Sequence, residues 1–332
     1  MSTGASWIGG VMGADGVAPR PLGSSGLHVS ALSLGSWRTY ERLPAETGID
    51  IIRAACDEGI TFFDDARYDD ETGSAPIPTG YSEVVFGNIF RAAGVPRDDV
   101  IIANKLWWEF WPEQNAVAEL NESLERMGLE YVDLIYAGPP AERMSVAELV
   151  AEVGALISAG TARAWGVLNW PADLISDAAA AAVAAGVPAP CAAQLPYSLA
   201  RRSPVEDEAM TRALAQAGAG VVASFCLEGG ILSGKYRHGP APGRAANVLE
   251  QPRFARAVAA ALEVTAFASR VDAAPAAVAL AFALASENVA SVLFGATSAG
   301  QVRANCAAAG LLRRLTADEL AELRLIGARA AT

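Results

Sequence analysis

Two charged side chains, Asp64 and Lys105, each stand at the end of an apolar segment of this 332-residue chain. Asp64 follows Ile60–Phe63 directly, and Lys105 follows Val100–Ala103 and Asn104. A charge at the rim of a buried core is costly unless it is paired or serves a function. A carboxylate and an ammonium group in such places either secure the rim or take part in chemistry there, and spacing alone leaves open whether they meet.

Short apolar runs like these recur about every 30 residues, as the parallel strands of an α/β fold do. The segments between the runs carry apolar residues at helical spacing, such as Leu120 and Leu124, and Ser145-x-x-Glu148 has the form of a helix-capping box. The eight predicted strands are Val29–Leu34, Ile60–Phe63, Val100–Ala103, Val132–Tyr136, Ala164–Leu168, Ala192–Leu195, Gly220–Ala223 and Ser291–Phe294.

Eight strand–helix units fit a closed (β/α)8 barrel, the TIM barrel. The competing fold is a doubly wound open sheet, which usually opens with G-x-G-x-x-G after its first strand. Here the first strand ends in Gly35-Ser36-Trp37 instead, so the chain predicts a barrel. We expect a β-hairpin around Pro21–Ser30 to close the barrel floor, and an extra helix, Arg253–Arg270, to precede the eighth strand.

The composition excludes several classes of function. The chain has 25 Lys+Arg against 37 Asp+Glu, a formal net charge of −12, so we expect neither a nucleic-acid groove nor a polybasic membrane face. The only histidines, His28 and His238, have no ligand-like neighbours, and no C-x-x-C pair occurs, so no metal site is expected. No apolar run approaches the ~20 residues of a membrane span. We predict a soluble, cytoplasmic protein.

The organisation along the chain is simple. Residues 1–18 are rich in Gly and Ala and show no periodicity, so we expect a disordered tail. Residues 19–332 carry the strand–helix pattern, so we expect them to form a single barrel domain.

Several separated segments resemble the aldo-keto reductase superfamily, and most closely its branch containing the potassium-channel β subunits. The resemblance runs from about Pro21 to Gly327, nearly the whole chain, and ordered matches over this length are more specific than any one alone. The segments are Leu27–Ser30 with Gly35–Trp37, Gly59–Ala66, Ser82-Glu83 with Gly87-Asn88, Asn104–Trp107, Leu129–Asp133, Gly230–Tyr236 and Val292–Thr297.

The resemblance implies NADPH-dependent reduction of an aldehyde or ketone to an alcohol, with hydride from the cofactor and a proton from a tyrosine. A free phenol has a pKa of about 10, so the family sets a lysine beside it and an aspartate to hold that lysine. Lys105 and Asp64 match these positions. Tyr68 is the favoured tyrosine, four residues after Asp64 where the family has five. Tyr81 is the alternative if the Asp69–Gly80 insertion redirects the loop.

The family usually keeps a histidine after strand four to polarise the carbonyl, and Gly138 stands at that place. Gly138 can offer only a backbone group or a water, and losing such a donor could cost ~10²-fold in rate. Three alternatives therefore stay open beside the reductase: a cofactor-binding regulatory subunit with little turnover, a barrel enzyme with lyase, dehydratase or isomerase chemistry, and a degenerate barrel that binds no cofactor.

The resemblance implies NADPH as the cofactor. Asn169 and Gln194 match the residues that hold the nicotinamide carboxamide, and Arg244 falls near the family arginine for the 2′-phosphate. The Leu227–Lys235 loop matches the one over the pyrophosphate; it also satisfies G-x-x-x-x-G-K, but Tyr236 replaces the Ser or Thr of a P-loop. The expected cofactor contacts are Gly35, Ser36, Trp37, Asn169, Gln194, Leu227, Gly229, Lys235, Arg244, Gly295, Thr297, Gln301 and Asn305.

The loop after Lys105, Trp107-Trp108-Glu109-Phe110-Trp111, carries four aromatic residues. We expect Arg38, Trp107 and Trp108 to contact the substrate, because aromatic side chains clustered at a rim suit a broad planar or sugar-like ligand. The alternative is a loop that packs on its own helix. The expected partner is a small-molecule carbonyl compound, with no nucleic acid and no membrane, and both a monomer and an oligomer stay open.

Overall fold

The eight apolar runs form the eight parallel strands of a closed barrel, as the sequence predicts. The computed structural model describes residues 17–236, 243, 245–246 and 249–329. Nearly all of the predicted tail, 1–18, and also Arg244 and His238 therefore lie outside the described residues. An antiparallel hairpin, β1 (Pro19–Pro21) and β2 (His28–Ser30), precedes the barrel. The barrel strands are β3 (Leu32–Gly35), β4 (Phe62–Asp64), β5 (Ile101–Leu106), β6 (Val132–Ala137), β7 (Ala162–Leu168), β8 (Ala192–Pro196), β9 (Gly220–Ser224) and β10 (Val289–Phe294), which closes onto β3.

Several strands differ from their predicted bounds by a few residues at their ends, and one predicted strand is divided in two. The expected first strand, Val29–Leu34, is divided at Ala31 between the hairpin and the barrel. The Ser30 hydroxyl ties the two sides of this corner together: Oγ donates to the Leu32 carbonyl oxygen at 2.6 Å and accepts from the Thr61 backbone nitrogen at 3.0 Å. An apolar run can continue through such a corner, so its pattern does not reveal the change of partner.

Eleven helices in the described part of the chain surround the barrel. Ser145 and Glu148 form the predicted capping box. The expected extra helix lies before the eighth barrel strand as α8, which begins at Ala255 after a short 3₁₀ turn, Pro252–Phe254. The helices are α1 (Ala45–Asp57), α2 (Tyr81–Ala93), α3 (Ala116–Met127), α4 (Val146–Ala159), α5 (Ala172–Ala185), α6 (Ser203–Glu206), α7 (Glu208–Ala217), α8 (Ala255–Arg270), α9 (Pro275–Leu284), α10 (Ala299–Arg314) and α11 (Ala317–Arg329).

None of the described helices is long and apolar enough on its own to cross a membrane. One pair, Pro252–Arg270 with Pro275–Leu284, is long and apolar enough only when its two members are taken together, and they are bent by 96°.

The hydrophobic core has two layers, and one of them fills the barrel. Its interior cluster includes Phe62, Leu134 and Val222 from the strands, together with Leu22 and Val29 from the hairpin segment. The larger layer lies between the strands and the outer helices. The hairpin closes the floor, and in barrels of this class the site lies at the opposite face, at the carboxyl ends of the strands.

Two helical glycines test how closely the outer helices pack. A Cβ atom added to Gly87 in α2 would lie 2.0 Å from the Met127 carbonyl oxygen at the end of α3, whereas one added to Gly310 in α10 would meet only the Arg313 guanidinium, at 3.8 Å. We expect Gly87→Ala to lower the free energy of unfolding in urea by about 1–3 kcal/mol, through overpacking. Gly310→Ala should raise it by up to about 1 kcal/mol, because alanine has the higher helix propensity. Equal effects would contradict the close contact.

Candidate active site

The predicted partners Asp64 and Lys105 meet at the mouth of the barrel. Asp64 is the last residue of β4 and Lys105 lies near the end of the neighbouring β5, so both point from carboxyl ends of paired strands. The Lys105 ammonium donates to Asp64 Oδ1, to the Asp65 carbonyl oxygen at 3.2 Å and to the Tyr68 hydroxyl at 3.2 Å. Both charged side chains are almost fully buried. Each of the three ammonium protons therefore has an acceptor, and Tyr68 is the third member of the cluster.

Gln194 holds the other side of Asp64. Its Nε2 donates to Asp64 Oδ2 at 2.8 Å from β8, across the barrel. Asn169 follows β7 with a φ of 57°, and its backbone nitrogen donates to the Gln194 carbonyl oxygen at 3.0 Å. The Asn169 side chain is exposed at the mouth. The two amide residues predicted for the carboxamide thus lie together beside the buried ion pair.

The pKa values of this cluster fix where its protons lie. Burial raises the pKa of Tyr68, the charge of Lys105 opposes this, and the net result lies above the ordinary value of a phenol. Burial lowers the pKa of Lys105, but Asp64 and Tyr68 raise it by more, so the amine stays charged. At neutral pH the cluster therefore holds a neutral phenol hydrogen-bonded to an ammonium ion.

The insertion between the two candidate tyrosines closes at its own base. The Gly80 backbone nitrogen donates to the Tyr68 carbonyl oxygen at 2.9 Å, and Asp69 pairs with Thr79 in an antiparallel bridge. Tyr81 starts α2 beyond this closure, and among the described residues no hydrogen bond joins it to Lys105. Because the insertion closes at its base, Tyr68 and not Tyr81 lies beside Lys105, although Tyr68 is only four residues after Asp64.

The backbone N–H of Gly138 is engaged within the protein and is not free to donate to a substrate. Its N–H donates to the Leu106 carbonyl oxygen at 2.9 Å, and its carbonyl oxygen accepts from Trp108 Nε1 at 3.1 Å. Trp108 is only 2% exposed as a result. This bond argues against the predicted role of Trp108 as a substrate contact, because it turns the indole inward to secure the loop.

Glu119 in α3, a residue not predicted from the sequence to have a role, holds the aromatic loop Trp107–Trp111. Its carboxylate accepts from the backbone nitrogens of Trp107 at 2.8 Å and Trp108 at 3.3 Å, and it lies 3.8 Å from the Arg67 guanidinium. Burial raises the pKa of Glu119. A signal was available, because Glu119 lies on the stripe of α3 that buries Leu120. A carboxylate on an apolar stripe needs a buried partner.

Glu83 is a second buried acid behind the site. Its carboxylate accepts from Asn104 Nδ2 at 2.8 Å and from Arg126 Nε at 2.6 Å. Asn104 Oδ1 in turn accepts from the Lys105 backbone nitrogen at 2.6 Å. This chain of bonds fixes the strand that carries the lysine.

Arg38, the other predicted substrate contact, is engaged by the insertion. Its guanidinium lies 2.5 Å from Glu71 and stacks over the Trp37 ring, 4.7 Å from the centroid. Glu71 also pairs with Arg42 at 3.2 Å. The insertion is therefore fastened to the loop after β3 and borders the mouth.

The glycine loop after β9 fits an anionic group. Glu228–Ser233 forms a 3₁₀ helix in which Gly229 and Gly230 have positive φ. A Cβ atom on Gly230 would lie 2.9 Å from the Lys235 ammonium, so only a bare backbone leaves this space open beside a cation. Such loops bind phosphate through backbone N–H groups. The space beside the Lys235 ammonium suits an anionic group such as a phosphate.

This loop is anchored by a buried acid, Glu228, whose side chain accepts from Ser198 Oγ at 2.7 Å and from the Arg201 guanidinium at 2.8 and 3.0 Å. Leu227 precedes the 3₁₀ helix as its N-cap residue. Across the mouth, the Trp37 and Phe225 rings approach to 5.7 Å between centroids.

The remaining predicted cofactor contacts divide into two groups. Gly295 and Thr297 follow β10, and the Thr297 backbone nitrogen donates to Gln301 Oε1 at 2.9 Å, just before α10. Asn305 is mostly buried on the same helix. Gly35 ends β3, and the adjoining Ser36 donates its hydroxyl proton to the buried Asp65. These residues border the mouth on the sides of β10 and β3.

The comparisons with known proteins agree with this geometry. Residues 31–327 match the Aldo/keto reductase family. The chain therefore belongs to the aldo/keto reductase family, a family of oxidoreductases. Proteins named "Probable voltage-gated potassium channel subunit beta" are similar to it: one from Oryza sativa subsp. japonica is 29% identical over 92% of this chain and 95% of its own, and one from Arabidopsis thaliana is 28% identical over 89% and 92%.

A solved structure assigned to 2,5-diketo-D-gluconic acid reductase B is similar in fold, with a TM-score of 0.69 over 93% of this chain and 92% of the other. Their sequences are 20% identical, so this likeness concerns the fold alone.

Asp65 gives a test of the site's electrostatics. Burial and the nearby Glu83 raise the pKa of Asp65 to about 8, well above its ordinary value, and its Oδ2 has no hydrogen-bond partner among the described residues. A raised pKa in the folded state stabilises the fold at low pH, and this contribution is lost as pH rises from about 4 through about 8. We expect Asp65→Asn to flatten the fall in unfolding free energy between pH 5 and 8.

Urea unfolding at several pH values across this range measures the slope, to which one such group contributes up to about 1.4 kcal/mol per pH unit. Asp177→Asn, at an exposed position of α5, is the matched control and should keep the wild-type slope. An unchanged slope in Asp65→Asn would show that this carboxyl group is ionised in the folded protein at neutral pH.

Proposed function

We propose that the protein is an NADPH-dependent oxidoreductase that reduces an aldehyde or ketone to an alcohol. The observation that carries this proposal is the buried Asp64–Lys105 pair with the Tyr68 hydroxyl 3.2 Å from the ammonium. Family membership supports the class of reaction, and the glycine loop beside Lys235 supports a dinucleotide cofactor.

In this proposal each residue of the cluster has one task. NADPH, when bound, would supply the hydride. Tyr68 donates its hydroxyl proton to the carbonyl oxygen as negative charge develops there. Lys105 stabilises the resulting phenolate at 3.2 Å, and Asp64 holds the ammonium in place. The proton begins on the phenol, because the pKa of Tyr68 lies above neutral pH.

The cofactor would be held at both of its ends. Asn169 and Gln194 would bind the carboxamide, since an amide side chain both donates and accepts hydrogen bonds. The Leu227–Lys235 loop would bind the diphosphate, and the start of α10 would receive the adenosine phosphate. Arg244 is proposed to bind the 2′-phosphate, which is the reason to favour NADPH over NADH.

A second candidate function is a cofactor-binding regulatory subunit with little turnover. The names of the rice and Arabidopsis relatives favour it. The absence of a side chain at Gly138 also favours it, because one donor to the carbonyl oxygen is missing. In this case the same residues would bind NADPH, and contact with a partner protein would be the function.

Cofactor titration separates these candidates most directly. We expect the purified chain to quench or shift NADPH fluorescence at micromolar concentration and to bind NADH more weakly. Oxidation of NADPH with aldehydes, ketones or quinones would support the reductase, and binding with no oxidation across such a panel would support the regulatory subunit. A chain that does not bind NADPH would exclude both.

The proton donor is tested by Tyr68→Phe, which removes the hydroxyl and keeps the buried ion pair. We expect turnover to fall by about 10²–10⁴-fold, the usual range for general acid catalysis, with NADPH affinity unchanged. Tyr81→Phe is the matched control, and we expect wild-type turnover from it. Loss of turnover in Tyr81→Phe instead would assign the role to that residue.

Lys105→Met should abolish turnover as well while cofactor binding is largely retained. Because it leaves Asp64 buried without its partner, its fold is checked by thermal unfolding. Wild-type turnover in a folded Lys105→Met protein would refute the catalytic assignment.

A further inference from the structure

The site has a second tryptophan whose indole N–H has no protein partner. Trp107 Nε1 is buried and its N–H has no hydrogen-bond acceptor among the described residues, whereas the adjacent Trp108 donates to the Gly138 carbonyl oxygen. A buried N–H without an acceptor is costly, so it is rarely left unpaired unless a ligand completes it. The indole of Trp107 is therefore a candidate ligand contact.

Trp107 lies where such a ligand would react. Its ring is 6.4 Å from the Tyr68 ring, centroid to centroid, and packs against the cluster that fills the barrel. A Cβ atom built on Gly138 would lie 3.9 Å from Trp107 Cε3, an atom of the six-membered ring of the indole. The indole thus borders the space that a side chain at position 138 would enter.

The backbone of Trp107 is fixed as well. Its N–H donates to the buried Glu119 carboxylate at 2.8 Å, and Lys105, two residues earlier, is bonded to Tyr68. The segment Lys105–Trp107 therefore carries the indole and is hydrogen-bonded to the tyrosine. A hydrogen-bond donor is most effective in catalysis when it is already in position before the reaction begins.

We propose that Trp107 Nε1 donates a hydrogen bond to the carbonyl oxygen of the substrate, supplying the donor that Gly138 cannot supply. The inference rests on the proposed reductase function. The oxygen that gains negative charge would then receive the Tyr68 proton from one side and the neutral indole N–H from the other. An indole does not titrate in the physiological range, so this donor works at any pH at which the protein is folded.

Trp107→Phe is the direct test, because it keeps an aromatic ring and removes the N–H. We expect kcat/KM for carbonyl reduction to fall by about 10²-fold, as for the loss of an oxyanion donor, with NADPH affinity unchanged. Trp111→Phe makes the same exchange in the same loop and should retain wild-type turnover. Wild-type kcat/KM in Trp107→Phe would overturn the proposal.

Tyr136 is the competing donor, since its hydroxyl is also buried without a partner among the described residues. It is fully enclosed in the barrel interior, two residues before Gly138, which favours Trp107. Tyr136→Phe should therefore leave kcat/KM at the wild-type value. A loss in Tyr136→Phe with none in Trp107→Phe would transfer the role to the tyrosine.

A measurement on the wild-type protein tests the contact itself, and the variant serves only to assign the signal. With ¹⁵N-labelled tryptophan the chain gives signals from seven indole groups, and the one missing from Trp107→Phe identifies Trp107. A ketone added to the NADP⁺-bound protein should shift the Trp107 N–H signal more than that of Trp108. An unshifted Trp107 signal in the presence of bound ketone would refute the contact.

The two levels of the proposal fail separately. If none of the carbonyl compounds tested leads the wild-type protein to oxidise NADPH, the reductase function fails. If the wild-type protein turns over and Trp107→Phe equals it, the reductase stands and only the role of the indole is refuted.

Discussion

The buried ion pair between Lys105 and Asp64 is the interaction on which the rest of the site depends. Two charges removed from water are stable only when hydrogen bonds complete their coordination, because desolvation offsets most of their attraction. Here Gln194 takes the second carboxylate oxygen, while Tyr68 and the Asp65 carbonyl take the remaining ammonium protons. These partners come from β4, the loop after it, β5 and β8, so the pair requires the closed barrel and its register.

A set of buried acids behind this pair keeps the rim in place. Glu83 fixes the strand of Lys105 through Asn104, Glu119 fixes the aromatic loop, and Glu228 fixes the glycine loop through Arg201. Each carboxylate accepts hydrogen bonds from a neighbouring element, which is the condition for keeping it in a core. Some of the acidic residues that give the chain its net charge of −12 are therefore buried and structural. The chain also carries a cationic group, Lys235, at the proposed diphosphate loop.

Much of this fold could be predicted from the sequence, because apolar runs that repeat every 30 residues or so are compatible with few folds. The place of the central ion pair could also be predicted, since both charged residues come at the ends of such runs. The direction in which individual side chains point could not be predicted. Neighbouring tryptophans with the same preferences diverge, since Trp108 adopts a φ of 61° and turns inward to Gly138. Likewise the insertion closes at Tyr68 and Gly80, so its length does not displace the tyrosine. Glu71 pairs with two arginines of the loop after β3, and such long-range pairs leave no local pattern in the sequence.

The glycine at position 138 has a different meaning once its hydrogen bonds are known. As a residue type it signals a missing donor and hence a weakened reductase. In the fold it accepts the Trp108 N–H and leaves room beside Trp107, and a larger residue would need to displace the Leu106 carbonyl, 3.0 Å from its Cβ. The glycine and the two tryptophans therefore form one arrangement, in which one indole secures the loop and the other is left free to bind. A barrel can keep the charge distribution of a reaction while changing the residue that supplies it, because the oxygen of the substrate responds to the position of a donor and not to its chemical origin.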